Sequence, residues 1–245
     1  MPVSLGCYHD AGDRMRFSLP ITVAAFVLLV AACSSTSPSA TSPHSATMTS
    51  PARVDPNAGL PTGTQVKALL APASWFPRGF KIDPQSSVNT GSKYQPTTPT
   101  GVRKCSRLHA TAWVQLGNGG AVSFAQNVYF NQNAGQYSQE INVYQGSTAQ
   151  DVMAKLRQAA ARCRSFHDTQ TSSTVTVTRK TGPQLGDDAL TIRLRNPRWL
   201  GGMTLEAVRV GHAVATVYFS AASGTGEAQA TKLAAVLTAN LQKNG

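Results

Sequence analysis

Hydrophobic positions along this chain change their period several times, and each change predicts an element. Residues 19–32, LPITVAAFVLLVAA, form an apolar stretch. Gln65 to Leu70 reads as a short helix after Pro61-Thr62-Gly63, and an edge strand is expected near Phe80. Cys105, Leu108, Ala112 and Leu116 then recur at spacings of 3, 4 and 4, which predicts one helix with Cys105 on its apolar face. The period falls to two in AVSFAQNVYF, with Val122, Phe124, Val128 and Phe130 on one side and Ser123, Asn127 and Tyr129 on the other. A turn over Asn131 to Gly135 and the alternation of QEINVYQ complete a hairpin. Ser147-Thr148-Ala149-Gln150 fits a capping box, and Asp151 stands where a helix dipole favours negative charge. Val152, Leu156, Ala159 and Cys163 form the stripe of that second helix. STVTVTRK, DALTIRLR, MTLEAVRV and HAVATVYFS read as three or four further strands, the last two joined through Gly211-His212. Ala230, Leu233, Ala234, Leu237 and Leu241 close the chain at helical spacing. The order predicts an α+β fold, an antiparallel sheet of about five to six strands with amphipathic helices on one face.

The 14-residue apolar run is too short for a comfortable span, which needs about 20 residues, and it suits a signal-peptide core. Arg16 precedes it, and Ala31, Ala32 and Cys33 follow. That order resembles the lipobox of bacterial lipoproteins, with Val30 where the family most often has Leu. The resemblance implies cleavage before Cys33 and acylation of its thiol. The alternative is an ordinary secreted protein cut near Ala32. Residues 1–14 carry Asp10, Asp13 and Cys7 and fit a leader poorly, so Met15 makes a more usual start than Met1. Residues 34–62 hold 17 Ser, Thr or Pro, too little apolar surface to offset ordering entropy. As a flexible coil they would span about 30 Å. The expected organisation is therefore a lipoprotein signal peptide over 1–32, a disordered linker over 33–61, and one folded domain over 62–245.

Charge and cysteines refine this picture. With 22 Lys and Arg against 11 Asp and Glu, the chain carries +11, which favours loose adhesion to an anionic envelope. No basic run is interleaved with aromatics, and an exported chain has little access to nucleic acid, so no nucleic-acid partner is expected. Outside the cytoplasm Cys105 and Cys163 read as a disulfide joining two helix faces. Zinc is the alternative, but the pair lacks a CxxC motif or a nearby His pair, so neither metal nor cofactor is expected.

Catalytic patterns are sparse. Lys180-Thr181-Gly182 has the letters of a β-lactamase KTG but no SxxK helix upstream, so a turn at a strand end explains it. Gly117-Asn118-Gly119-Gly120 enters a strand, whereas a phosphate cradle opens a helix. His109 is expected on the first main helix, and His167 and Asp168 in a loop after Cys163. Asp187 and Asp188 read as a turn or as partners of Arg193, Arg195 or Arg209. Arg193 and Arg195 share one strand face and, with Asp188, make a candidate ligand site for carboxylate or phosphate groups.

The long hairpin, the cysteine-bearing helix, "GDDAL", "VRVGHAVATVYF" and the C-terminal helix occur in one order over residues 62–243. In that order the chain resembles the extracellular sensor domain of PknH-type mycobacterial serine/threonine kinases and related actinobacterial lipoproteins. The resemblance implies an antiparallel sheet against helices, with a cleft for an undefined ligand. Two departures stand out. No kinase or transmembrane helix is attached, and only one cysteine pair can form where the kinase members carry two disulfides. The function expected is a non-enzymatic, membrane-tethered domain on the extracytoplasmic face that binds a small molecule, lipid or cell-wall ligand. Two alternatives remain open. A lipid carrier would need a large cavity lined by Trp113, Phe124, Phe130 and Phe219, and a hydrolase would need His167, Asp168 or Asp188 to converge with a hydroxyl.

Overall fold

The computed structural model describes residues 55–98, 104–133 and 135–244. Cys33, the leader 1–32 and the linker up to residue 54 lie outside the described residues. Contacts of the folded part begin within the expected linker: Gln145 Nε2 donates to Asn57 Oδ1 at 2.7 Å, and Leu60 packs into the core.

The described residues form one antiparallel sheet of nine strands. They are β1 (Lys81–Ile82), β2 (Val88–Asn89), β3 (Ser123–Phe130), β4 (Gln136–Val143), β5 (Ser165–Asp168), β6 (Ser173–Thr181), β7 (Asp188–Arg195), β8 (Met203–Val210) and β9 (Ala213–Ser220). Their spatial order is β1-β3-β4-β9-β8-β7-β6-β5, with β2 also on β3. Three helices accompany it, α1 (Gly63–Ala68), α2 (Thr148–Arg162) and α3 (Glu227–Asn244). The α+β class and the antiparallel sheet agree with the sequence pattern, but the strand number exceeds the expected five to six. β1 and β2 are two residues long, and a two-residue strand shows no period. No helix among the described residues is long and apolar enough to cross a membrane.

Helices cover both faces, not one. On one face Leu190, Ile192, Leu194, Leu205 and Val214 meet Val152, Met153 and Leu156 of α2, together with Leu108 and Trp113. On the other, Tyr129, Tyr137, Ile141, Val217 and Phe219 meet Val66 after the start of α1 and Leu233, Leu237 and Leu241 of α3. Each fully buried leucine contributes about 2 kcal/mol, so both layers are needed to hold so wide a sheet. β9 shows the cause most plainly. All eight of its residues are buried, because a central strand packed on both faces has no solvent side.

Three local expectations are corrected. The helix expected through Cys105 and Leu116 is two 3₁₀ segments, Cys105–His109 and Trp113–Gly117, split where Ala110 is extended (φ −129°, ψ 150°). One straight α-helix would turn Trp113 away from the 105/108/112/116 stripe, and the break lets that indole bury completely. In β3 the deeper side is that of Ala125 and Tyr129, while Phe130 is 42% exposed. The capping box is absent at Ser147, whose side chain makes no cap bond, and it forms instead at α1, where Thr62 N donates to Gln65 Oε1 at 2.8 Å.

The cysteines behave as expected. Cys105 and Cys163 form a disulfide with Cα atoms 5.5 Å apart, tying the first 3₁₀ segment to the C-cap of α2.

Candidate functional site

β3 and β4 present Phe124, Gln126, Glu140 and Asn142 on the α2 side of the sheet, beyond the reach of α2 itself. Pairing sets their spacing: Gln126 stands opposite Glu140, and Glu140 opposite Thr216 of β9. Directly opposed residues share a sheet face, so three polar side chains form one row across three strands. The second 3₁₀ segment arches over them with Val114 and Gln115, and Thr97, Thr98 and Tyr144 close the sides. The result is a cleft of about 240 Å³. Gly119 belongs to its wall, and a Cβ there would run into a methyl of Val152 on α2, so only glycine lets the loop approach so closely.

Glu140 is the chemical centre. It is 5% exposed, and Asn142 Nδ2 donates to its Oε1 at 2.6 Å. Its Oε2 is buried without a partner among the described residues, as is Thr216 Oγ1. Burial pushes the carboxyl up to about 7, against the opposing pull of the Asn142 hydrogen bond. Burial, then the Glu140 charge, also drives Tyr144 well above the usual phenol range. Gln126 is anchored by its Nε2, which donates to Ser86 O at 3.0 Å. Among the described residues no Lys, Arg or His lines the cleft, so none of them can neutralise a phosphate or carboxylate there. A wider hollow of about 770 Å³ lies between β1 and the β3–β4 turn, but it is an open groove between exposed side chains.

The residues picked out from sequence lie elsewhere and apart. Arg193 pairs with Glu227 in the first turn of α3, and Arg195 shares its sheet face, exposed. Asp188 is on the opposite face, held by Arg157 of α2 (Nη1 to Oδ2, 2.6 Å), so it does not meet the two arginines. Asp187 pairs with Arg209 at 2.9 Å. His167 and Asp168 lie in β5, not in a loop. Alternation sends them to opposite faces, and Asp168 is bonded to Thr171 and Trp199 while Asp188 is held by Arg157, so the three do not converge on one hydroxyl. Trp113 and Phe219 belong to different core layers and Phe130 faces solvent, so the four aromatics line no common cavity.

Asp168 is instead a structural clamp. It accepts from Trp199 Nε1 at 3.1 Å, Thr171 Oγ1 at 2.6 Å and Gln170 N at 3.1 Å, binding β5 to the β7–β8 loop. Burial raises its carboxyl, but these bonds outweigh burial and hold it below the usual carboxylate range. Its contribution is thus complete at neutral pH and lost as pH falls through that depressed range. Asp168→Ala should cost about 2 kcal/mol in urea unfolding, and the loss should vanish in strong acid. His109 packs on Trp199 with ring centroids 5.0 Å apart, and burial lowers its pKa although Asp168 opposes the shift.

The fold is similar to that in the crystal structure of the extracellular domain of PknH from Mycobacterium tuberculosis, with a TM-score of 0.54 at 12% identity. The match covers 74% of this chain and 97% of that one. At such identity the likeness is one of fold. No protein-family model and no curated protein matches the sequence.

Proposed function

We propose that this chain is an extracytoplasmic lipoprotein, anchored through Cys33, whose folded part binds a small molecule in the Glu140 cleft without chemically changing it. The observation that carries the reading is a nearly buried carboxylate with one oxygen unpartnered at the base of a cleft. Leaving a buried polar atom unpaired costs about 1–3 kcal/mol, a penalty that a bound ligand would remove. Likeness of fold to the extracellular domain of PknH supports the location, and the leader pattern before Cys33 supports the anchor. Two or more acyl chains hold a protein durably, since each buried methylene contributes about 0.8 kcal/mol.

In cells fed radiolabelled palmitate, the full chain should take up label and fractionate with membranes, and Cys33→Ser should abolish both. Label-free protein in the soluble fraction would overturn the anchor. Native mass spectrometry of the full chain released in mild detergent should show a retained small mass that Glu140→Ala removes. A bare polypeptide mass under those conditions would count against the cleft.

A further inference from the structure

We propose that the cleft takes a small organic ammonium ion, a primary amine on an apolar or aromatic body, held through Glu140 Oε2. This deepens the reading of the cleft as a ligand site and rests on it. The lining is one-sided in its hydrogen-bonding chemistry. Asn142 Nδ2 is already given to Glu140 and Gln126 Nε2 to Ser86, so the oxygens of both amides remain as acceptors beside the carboxylate. An ammonium group supplies three donors and no acceptor, which fits that set. Its positive charge matches Glu140, the only charged group in the lining among the described residues. Phe124 and Tyr144 also line the cleft, where an aromatic ring can pack on the organic body or attract the ammonium by cation–π interaction. A hard divalent ion is a poorer fit, because it seeks six or more oxygens and usually several carboxylates, and here there is one. Nucleotides and anionic lipid headgroups are disfavoured, since no cation lines the cleft among the described residues.

The same geometry makes binding pH-dependent. Around Glu140 the facing groups are Gln126 from β3, Asn142 and Tyr144 from β4 and the residue after it, Thr216 from β9, and Gln115 from the 3₁₀ arch. Of these only Tyr144 titrates, and it stays neutral below the usual phenol range. Glu140 therefore sets the dependence, and it must lose its proton to pair with the amine. Affinity should fall about ten-fold for each pH unit below 7 and level off above it.

Calorimetric titration of the full chain in detergent micelles tests this with three probes of one shape: benzylamine, benzyl alcohol and benzoate. Hydrogen–deuterium exchange of β3 and β4 reports where each binds. At pH 8 benzylamine should bind about ten-fold tighter than benzyl alcohol and protect β3 and β4, while benzoate should be silent. The preference should collapse at pH 5.5 and in Glu140→Gln, and the wild-type pH series stands if that variant misfolds. Equal affinity and equal protection by benzyl alcohol would overturn the ammonium assignment and leave the cleft a ligand site. Protection by none of the three would overturn both.

Discussion

Wild-type protein should gain less from a shift to pH 8 than its Glu140→Gln variant does, and the gap between them should be about 3 kcal/mol. Unfolded, Glu140 titrates near 4.5; folded, burial raises it to about 7. Between those values the native state binds the extra proton, so stability falls as pH rises and the loss is complete above the folded value. The interval of about 2.5 pH units corresponds to roughly 3 kcal/mol, since one unit is about 1.4 kcal/mol. Glutamine keeps the volume and can accept the same bond from Asn142, but carries no charge to desolvate. Melting temperatures of both proteins at pH 5 and pH 8 provide the measurement. The pair should melt within a few degrees of each other at pH 5 and separate by roughly 10 °C at pH 8, with the variant higher. The difference between proteins is the clean quantity, because His109 and Asp168 both push the opposite way in acid. Parallel melting profiles at the two pH values would refute the account of Glu140.

Removing the disulfide should have the largest effect of any single covalent change. Cys105 and Cys163 are 58 residues apart in sequence, and closing a loop of that length in the unfolded chain stabilises the native state by about 4 kcal/mol. The bond also has a local task. It fixes the 3₁₀ segment Cys105–His109 to α2, and the next segment, Trp113–Gly117, forms the arch of the Glu140 cleft. Reduction should therefore lower the urea midpoint sharply and release the cleft wall before the sheet melts. The double variant Cys105→Ala, Cys163→Ala should reproduce the midpoint of the reduced protein. Hydrogen exchange over residues 104–118 should rise first, with β8 and β9 still protected. An unchanged midpoint after reduction would deny the bond its role.

Much of the frame was legible in the hydrophobic pattern, and the misses have physical causes. β3, β4 and β6 to β9, with α2 and α3, announce themselves by long, clean periods, and the cysteine pair by its setting among apolar neighbours. The second helical layer was missed although α1 and α3 were both expected, because a helical period marks an apolar face but not the side of the sheet it covers. The run AVATVYF, broken only by Thr216, was its one visible sign, since a strand open to water on one side alternates. The 3₁₀ arch was misread because spacings of 3 and 4 suit an α-helix as well as two tight turns in sequence. Glu140 and Asn142 escaped notice for the opposite reason. In QEINVYQ they alternate with Ile141 and Val143, so they look like the solvent face of an ordinary hairpin. Only the tertiary arch, contributed from residues 112–119, turns that face into an enclosed one. Arg193 and Asp188 were conspicuous as charges yet are occupied by Glu227 and Arg157, partners 31 or more residues away in sequence.

The strand order has a bearing on how the polypeptide is made. Hairpin β3–β4 joins the rest of the sheet only through β9, the last strand to leave the ribosome. Tyr137 and Gln136 pair early with Tyr129 and Phe130, but must wait for Phe219 and Ser220 on their other side. Such distant pairings slow folding, because a long stretch of chain loses its freedom before the contact forms. The topology thus leaves the sheet incomplete until its last strand is synthesised, and a stop codon before residue 213 would leave the two halves unjoined.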